Sequence, residues 1–141
     1  MNKVIIVIGS SVREHVICSK LKKQNIIVIS DFPNPKINDL CFQYIITNLD
    51  NQSILNYIPP LQKTYLIEYV VINQEKFIFN GLVDKLKSLG IQSIAPLRKY
   101  GKIEWSKSFA RNLINQYGLG KYNPIYKEFT TYNKLEIIQF I

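Results

Sequence analysis

Lys3-Val4-Ile5-Ile6-Val7-Ile8-Gly9-Ser10-Ser11-Val12-Arg13-Glu14-His15-Val16-Ile17-Cys18-Ser19-Lys20-Leu21-Lys22-Lys23-Gln24-Asn25-Ile26-Ile27-Val28-Ile29 is the stretch that decides the fold. Residues 4–8 form an unbroken β-branched run, the pattern of a strand buried on both faces. Gly9-Ser10-Ser11 interrupts it. Apolar residues then recur at Val12, Val16, Ile17 and Leu21, which is helical spacing, and Lys20, Lys22 and Lys23 fall in the last turn, where cations suit the helix dipole. Residues 26–29 are a second buried strand. The segment therefore reads strand–helix–strand, a βαβ unit with a right-handed crossover.

The same rhythm continues outward. Asp31-Phe32-Pro33-Asn34-Pro35 is expected to be loop, because two prolines argue against helix and central strand alike. Residues 42–46 predict a third strand. Asp50 or Asn51 caps a helix carrying Ile54, Leu55 and Ile58, which Pro59-Pro60 is expected to stop. Residues 69–72 predict a fourth strand. Ile78, Leu82, Val83, Leu86 and Leu89 predict one amphipathic helix closed by Gly90, and residues 91–95 a fifth strand. This alternation predicts an α/β fold, a doubly wound parallel five-stranded sheet of Rossmann-like type. After Pro96 the pattern changes. Ile103, Trp105, Phe109, Leu113, Ile114 and Tyr117 fit one helix face, residues 125–129 a strand, and Thr131 the cap of a last helix with Leu135, Ile138 and Ile141 inward. The expected division is a domain at 1–98 and an incomplete second piece at 99–141.

Composition narrows the function classes. With 47% hydrophobic and 20% charged residues, the chain is globular and not disordered. No apolar run approaches the roughly 20 residues that span a bilayer, and the first apolar run ends at Gly9 with no cleavage site, so it reads as a strand and not a signal peptide. Cys18 and Cys41 fit no metal spacing. These features predict a cytoplasmic chain with reduced thiols. A net charge of +8 would suit a polyanion. The lysines, however, are spread from Lys3 to Lys134 with no basic cluster, which argues for a solvated surface and against nucleic acid.

The turn at Gly9-Ser10-Ser11 carries the chemistry. A strand feeding through glycine and serine into a helix presents unpaired N–H groups at a positive dipole end, where an anion can sit. Ser10, Ser11 and Arg13 could add donors to a phosphate. It is not a dinucleotide fingerprint, which would need glycines at Ser11 and Glu14. Glu75, at the end of the fourth predicted strand, occupies a favourable ligand position for this fold class.

Read as a string, Gly9-Ser10 followed by Arg13-Glu14-His15 resembles the opening of glycinamide ribonucleotide synthetases (phosphoribosylamine–glycine ligases of the ATP-grasp superfamily), which runs strand, Gly-Ser-Gly-Gly-Arg-Glu-His, helix. Val70-Val71-Ile72-Asn73-Gln74-Glu75 is similar to the family's strand followed by Gly-Pro-Glu. Gly81-Leu82-Val83-Asp84 and Leu89-Gly90-Ile91 resemble the helix after it. Glu104 to Arg111 resembles Glu-Gly-Ser-Lys-Ala-Phe-Ala-Lys, and Tyr117-Gly118-Leu119 and Phe129-Thr130 match the run that follows. The likeness covers residues 3–30 and 69–132 well and 31–68 poorly. It implies a pre-ATP-grasp domain followed by the start of an ATP-grasp subdomain. It also implies an enzyme of purine biosynthesis that joins glycine to 5-phosphoribosylamine, using ATP and Mg2+. On that analogy Gly9, Ser10 and Arg13 face the substrate phosphate, Ser11 and Glu14 complete the substrate-binding set, Glu75 meets the ribose, and Lys107 reaches nucleotide phosphates. Without the resemblance, Lys107 reads equally as a lysine on a solvated helix face, and Arg13 and Glu14 as surface pairs.

The departures fall at the loops. Ser11 and Val12 stand where the family has two glycines, Asn73-Gln74 replaces Gly-Pro before Glu75, and Pro33-Asn34-Pro35 lacks the glycines of the corresponding family loop. The family's remaining nucleotide and metal ligands lie beyond Ile141. The expectation is therefore a truncated ligase with no catalytic residue, metal or cofactor of its own, inactive alone and at most binding phosphoribosylamine or a ribose phosphate. One alternative is a binding module that pairs with a separate ATP-grasp chain through the apolar face of its last helix. Another is a basic nucleotide- or nucleic-acid-binding domain, which steep salt dependence would reveal.

Overall fold

The computed structural model describes residues 1–141. Five strands, β1 (Lys3–Ile8), β2 (Ile26–Ser30), β3 (Gln43–Ile46), β4 (Leu66–Ile72) and β5 (Ser93–Ile94), form one sheet. Its order is β3-β2-β1-β4-β5, and every neighbouring pair is parallel. The helices α1 (Val12–Leu21), α2 (Pro35–Asn38), α3 (Asn51–Thr64), α4 (Glu75–Phe79) and α5 (Leu82–Ser88) connect the strands. The doubly wound α/β fold is as expected.

Handedness explains where the helices lie. Connections from β1 through β2 to β3 step one way across the sheet, and those from β3 through β4 to β5 step the other, so right-handed crossovers place the two sets on opposite faces. On the first face Ile6, Ile8, Ile27, Ile29, Val70 and Ile72 pack with residues of α3, α4 and α5. On the second, Ile5, Val7, Val28 and Val71 pack with Cys18 of α1 and Ile37 of α2. β1 is central and almost wholly buried, which is why its sequence shows a continuous apolar run with no alternation.

Several local expectations are corrected. Pro35 does not prevent a helix; it is the first residue of α2, where its missing N–H is not needed, and Asn34 caps the turn by accepting from Ile37 N at 3.3 Å. α3 runs through Pro59-Pro60 to Thr64. Both prolines lie on the exposed side, where water can satisfy carbonyls that lose their partners, while Ile54, Ile58 and Leu61 bury the other side. The predicted single helix before Gly90 is two, because Gly81 adopts φ +77 between α4 and α5. In α1 the buried positions are Glu14 and Cys18, and Val12 and Val16 point to solvent.

The chain divides into compact units at Met1–Gly101 and Lys102–Ile141. The division falls within α6 (Arg98–Trp105), and α7 (Lys107–Gln116) and α8 (Lys134–Phe140) follow. Ser106 separates α6 from α7 by capping the latter, accepting from Phe109 N, so the expected continuous helix is broken there. Residues 125–129 form no strand, and Asn133, not Thr131, caps α8. Leu135, Ile138 and Ile141 are exposed, not inward. Within the second unit, Asn123 Nδ2 donates to Arg111 O (2.9 Å) and Asn115 Oδ1 (2.8 Å), Tyr126 OH donates to Asn112 Oδ1 at 2.6 Å, and the rings of Phe129 and Phe140 meet edge to face.

Cys18 is buried under α1, and Cys41 is half-buried. Burial, with lesser effects from Cys41 and Glu14, pushes the Cys18 thiol from 9.0 up to about 11. The neutral thiol is thus favoured by folding. The stability linked to it is complete below the unfolded value of 9.0 and is lost as pH rises through about 11. Two results are expected: Cys18 resists thiol reagents at neutral pH until the chain is denatured, and the urea midpoint falls across that alkaline window. Labelling followed by mass spectrometry and urea titrations at alkaline pH check them.

Candidate functional site

The order β3-β2-β1-β4-β5 makes the carboxyl ends of β1 and β4 the topological switch point, the place where open α/β sheets bind ligands. Three loops meet there. After β1, Gly9 N donates to Ile29 O at 2.8 Å, which carries the chain across β2 before it turns into α1. After β2, Asn34 Nδ2 donates to Ser10 O at 2.9 Å. After β4, Asn73 and Gln74 lie against the β1 turn: Asn73 Nδ2 donates to Glu14 Oε1 at 3.2 Å, and Arg13 Nη1 donates to Asn73 O at 3.5 Å.

Gly9 sits at φ +113, a conformation that L side chains rarely adopt. A Cβ there would lie 2.9 Å from Gln74 Nε2 and 3.1 Å from Glu14 Cδ. The close approach of the two loops therefore requires glycine. Glu14 is 0% exposed. Its Oε2 accepts from Ser11 N at 2.8 Å and also from Ser11 Oγ, in a short contact. The carboxylate thus sits at the helix N-terminus and occupies one of the donors that an incoming anion would otherwise use.

The expected site residues are placed as follows. Gly9, Ser10, Ser11, Arg13 and Glu14 form one turn, and Glu75 stands at the first position of α4, directly after Gln74. Gly9 and Glu14 are buried, Ser10 is half-buried, and Ser11, Arg13 and Glu75 are exposed. Glu14 therefore shapes the turn, while Ser10, Ser11, Arg13 and Glu75 keep polar atoms at the surface. Lys107 belongs to the other compact unit, exposed at the start of α7. No group of three His, Cys, Asp or Glu side chains is arranged to hold a metal ion.

Asn34, Asn73 and Gln74 are the residues that sequence reasoning overlooked as builders of the site. For Asn34 a signal existed, since Asn directly before Pro is a helix-start signature. For Asn73 and Gln74 the signal was their place directly before Glu75, where the resembled family has Gly-Pro. Truncating Glu14 to alanine should leave Ser11 N and Asn73 Nδ2 without partners and lower stability by about 2 kcal/mol. Glu14→Gln, which keeps an acceptor, should cost about half as much. Urea unfolding of the two variants checks the order.

A parallel doubly wound sheet with a turn of this construction at its switch point defines an α/β domain of Rossmann-like type. The family assignment is narrower. The chain belongs to the phosphoribosylglycinamide synthetase N-domain family, which matches residues 3–104. A bifunctional purine biosynthetic protein of Dictyostelium discoideum is 31% identical over 134 residues, which are 92% of this chain and 16% of that protein. The phosphoribosylamine–glycine ligase of Methanocorpusculum labreanum is 32% identical over 119 residues, 82% of this chain and 27% of the ligase. The chain thus spans less than a third of either relative's length. Among solved structures, N5-carboxyaminoimidazole ribonucleotide synthetase from Thermotoga maritima superposes with a TM-score of 0.56 at 18% identity, covering 84% of this chain and 31% of that one. The biotin carboxylase domain of a thermophilic 2-oxoglutarate carboxylase gives 0.56 at 14% identity. These likenesses establish the fold. No helix is long and apolar enough to cross a membrane.

Proposed function

We propose that this chain binds the phosphoribosyl end of phosphoribosylamine at the switch point and does not complete the ligation alone. One observation carries the reading: the loops after β1, β2 and β4 converge there and leave Arg13 and Ser10 beside a helix N-terminus, with Glu75 nearby in the chain. Arg13 meets the phosphate, Ser10 adds a hydroxyl donor, Ser11 keeps its own hydroxyl on Glu14, and Glu75 accepts from ribose hydroxyls. Titration calorimetry with ribose 5-phosphate tests this. Arg13→Ala should weaken binding about tenfold or more, the effect of losing a charge-assisted contact, without moving the thermal midpoint. Glu75→Ala should weaken ribose 5-phosphate but not inorganic phosphate. An absence of binding by the native chain, or an unchanged affinity in Arg13→Ala, would refute the reading.

A second reading has support of its own. No side chain within residues 102–141 is buried, and Ile125, Leu135, Ile138 and Ile141 are exposed. We infer that this unit packs against a separate chain carrying the rest of an ATP-grasp fold, and that glycine ligation belongs to the pair. Co-expression with the downstream portion of the Methanocorpusculum labreanum ligase should give a complex by light scattering; independent elution of the two chains counts against it.

A further inference from the structure

The second face of the sheet is covered over only part of its width. The crossovers through α1 and α2 cover β1, β2 and β3, whereas those through α3, α4 and α5 lie on the first face. Over β4 and β5 the second face is covered only as far as Val71, which packs with Cys18 of α1 and is 4% exposed, whereas its register partner Ile94 is 58% exposed. Parallel sheets are normally buried on both faces, and here the uncovered part is apolar. Two hollows of about 320 and about 300 Å³ share Val16, Ile17 and Asn73 and so form one groove. One wall is the outer side of α1, where Val12 is 79% and Val16 52% exposed. The other is the sheet, where Tyr69 and Val71 line the floor beside Ile94, 58% exposed. Val71 and Ile94 are register partners, so both face the groove.

Length and charge say what fits. The wall formed by α1 is 10 residues long, about 15 Å, or nearly three helical turns. This is the space that one more helix would fill. Arg13 and Lys20 line the groove, and no carboxylate does. A second copy of the chain would bring the same cations onto each other across a two-fold axis, in a molecule already carrying +8.

We propose that this groove docks an acidic amphipathic helix from a partner polypeptide, its apolar stripe against Val16, Ile17 and Ile94 and its carboxylates toward Arg13 and Lys20. The surface is separate from the proposed phosphoribosyl contacts except at Arg13. The test variants therefore avoid Arg13.

The probe is a fluorescein-labelled helical peptide of about five turns, with leucine on one stripe and glutamate elsewhere, followed by fluorescence anisotropy. Saturable binding is expected. Val16→Asp should weaken it at least about tenfold by placing an unpaired charge in the apolar contact, and Lys20→Glu should weaken it while improving affinity for the lysine version of the peptide. Both positions are exposed on α1, so the thermal midpoint and ribose 5-phosphate binding should not change. A result with no saturable binding, or equal affinity for a scrambled peptide, overturns the proposal. So does a concentration-dependent dimer by ultracentrifugation that Val16→Asp dissociates, since the occupant would then be a second copy.

Discussion

Replacing Gly9 by valine is expected to destabilise the chain by about 3–4 kcal/mol, a sum of two separable effects. The first is conformational. At φ +113 a β-branched residue is strained whatever space surrounds it. The second is steric, since the added Cβ would press on Gln74 Nε2 and on the Glu14 carboxylate. The glutamine amide can swing aside, but Glu14 is buried and tied to Ser11 and Asn73. Gly90 provides the control: it has φ +76 with nothing within 4 Å of a Cβ, so Gly90→Ala isolates the backbone effect at about 1 kcal/mol. Urea unfolding of both variants gives the difference. Equal losses would mean that the loops do not pack as described.

Phe77→Ala should cost about 3–5 kcal/mol, a large share of the roughly 5–15 kcal/mol available to an ordinary domain. Phe77 is 1% exposed in the first-face core. It lies on α4, five residues long, which is far too short to be helical by itself. Burial of Phe77 and Ile78 is what holds α4, and with it Glu75, at the end of β4. The variant should therefore lose stability in urea and also affinity for ribose 5-phosphate, with inorganic phosphate less affected. A stability loss below about 1 kcal/mol would show that Phe77 is not the anchor of α4.

The strands of the sheet were legible because buried parallel strands leave continuous runs such as residues 4–8 and 26–29, and little else in a short chain does. The site was legible in part. Gly9, Ser10, Arg13 and Glu75 stand out from strand ends and from the string around Arg13-Glu14-His15. The buried state of Glu14 does not, because the i, i+4 pairs Val12/Val16 and Ile17/Leu21 suggest a different inward face. Asn73 and Gln74 look like polar loop residues until β4 is set beside β1.

Taken alone, the sequence determined the α/β class, the parallel doubly wound order of elements, the family and the turn that carries the candidate site. All of these follow from local periodicity or from contiguous residues. Only the tertiary structure decided which face of α1 is buried, that α3 continues through Pro59-Pro60, and that β5 is as short as Ser93–Ile94. It alone decided that a carboxylate fills the helix N-terminus and that Ile94, on one side of β5, is left exposed. The physical reason is common to these cases. Each depends on what packs against a segment from far along the chain, and burial overrides propensity wherever a neighbouring element supplies a partner or fails to.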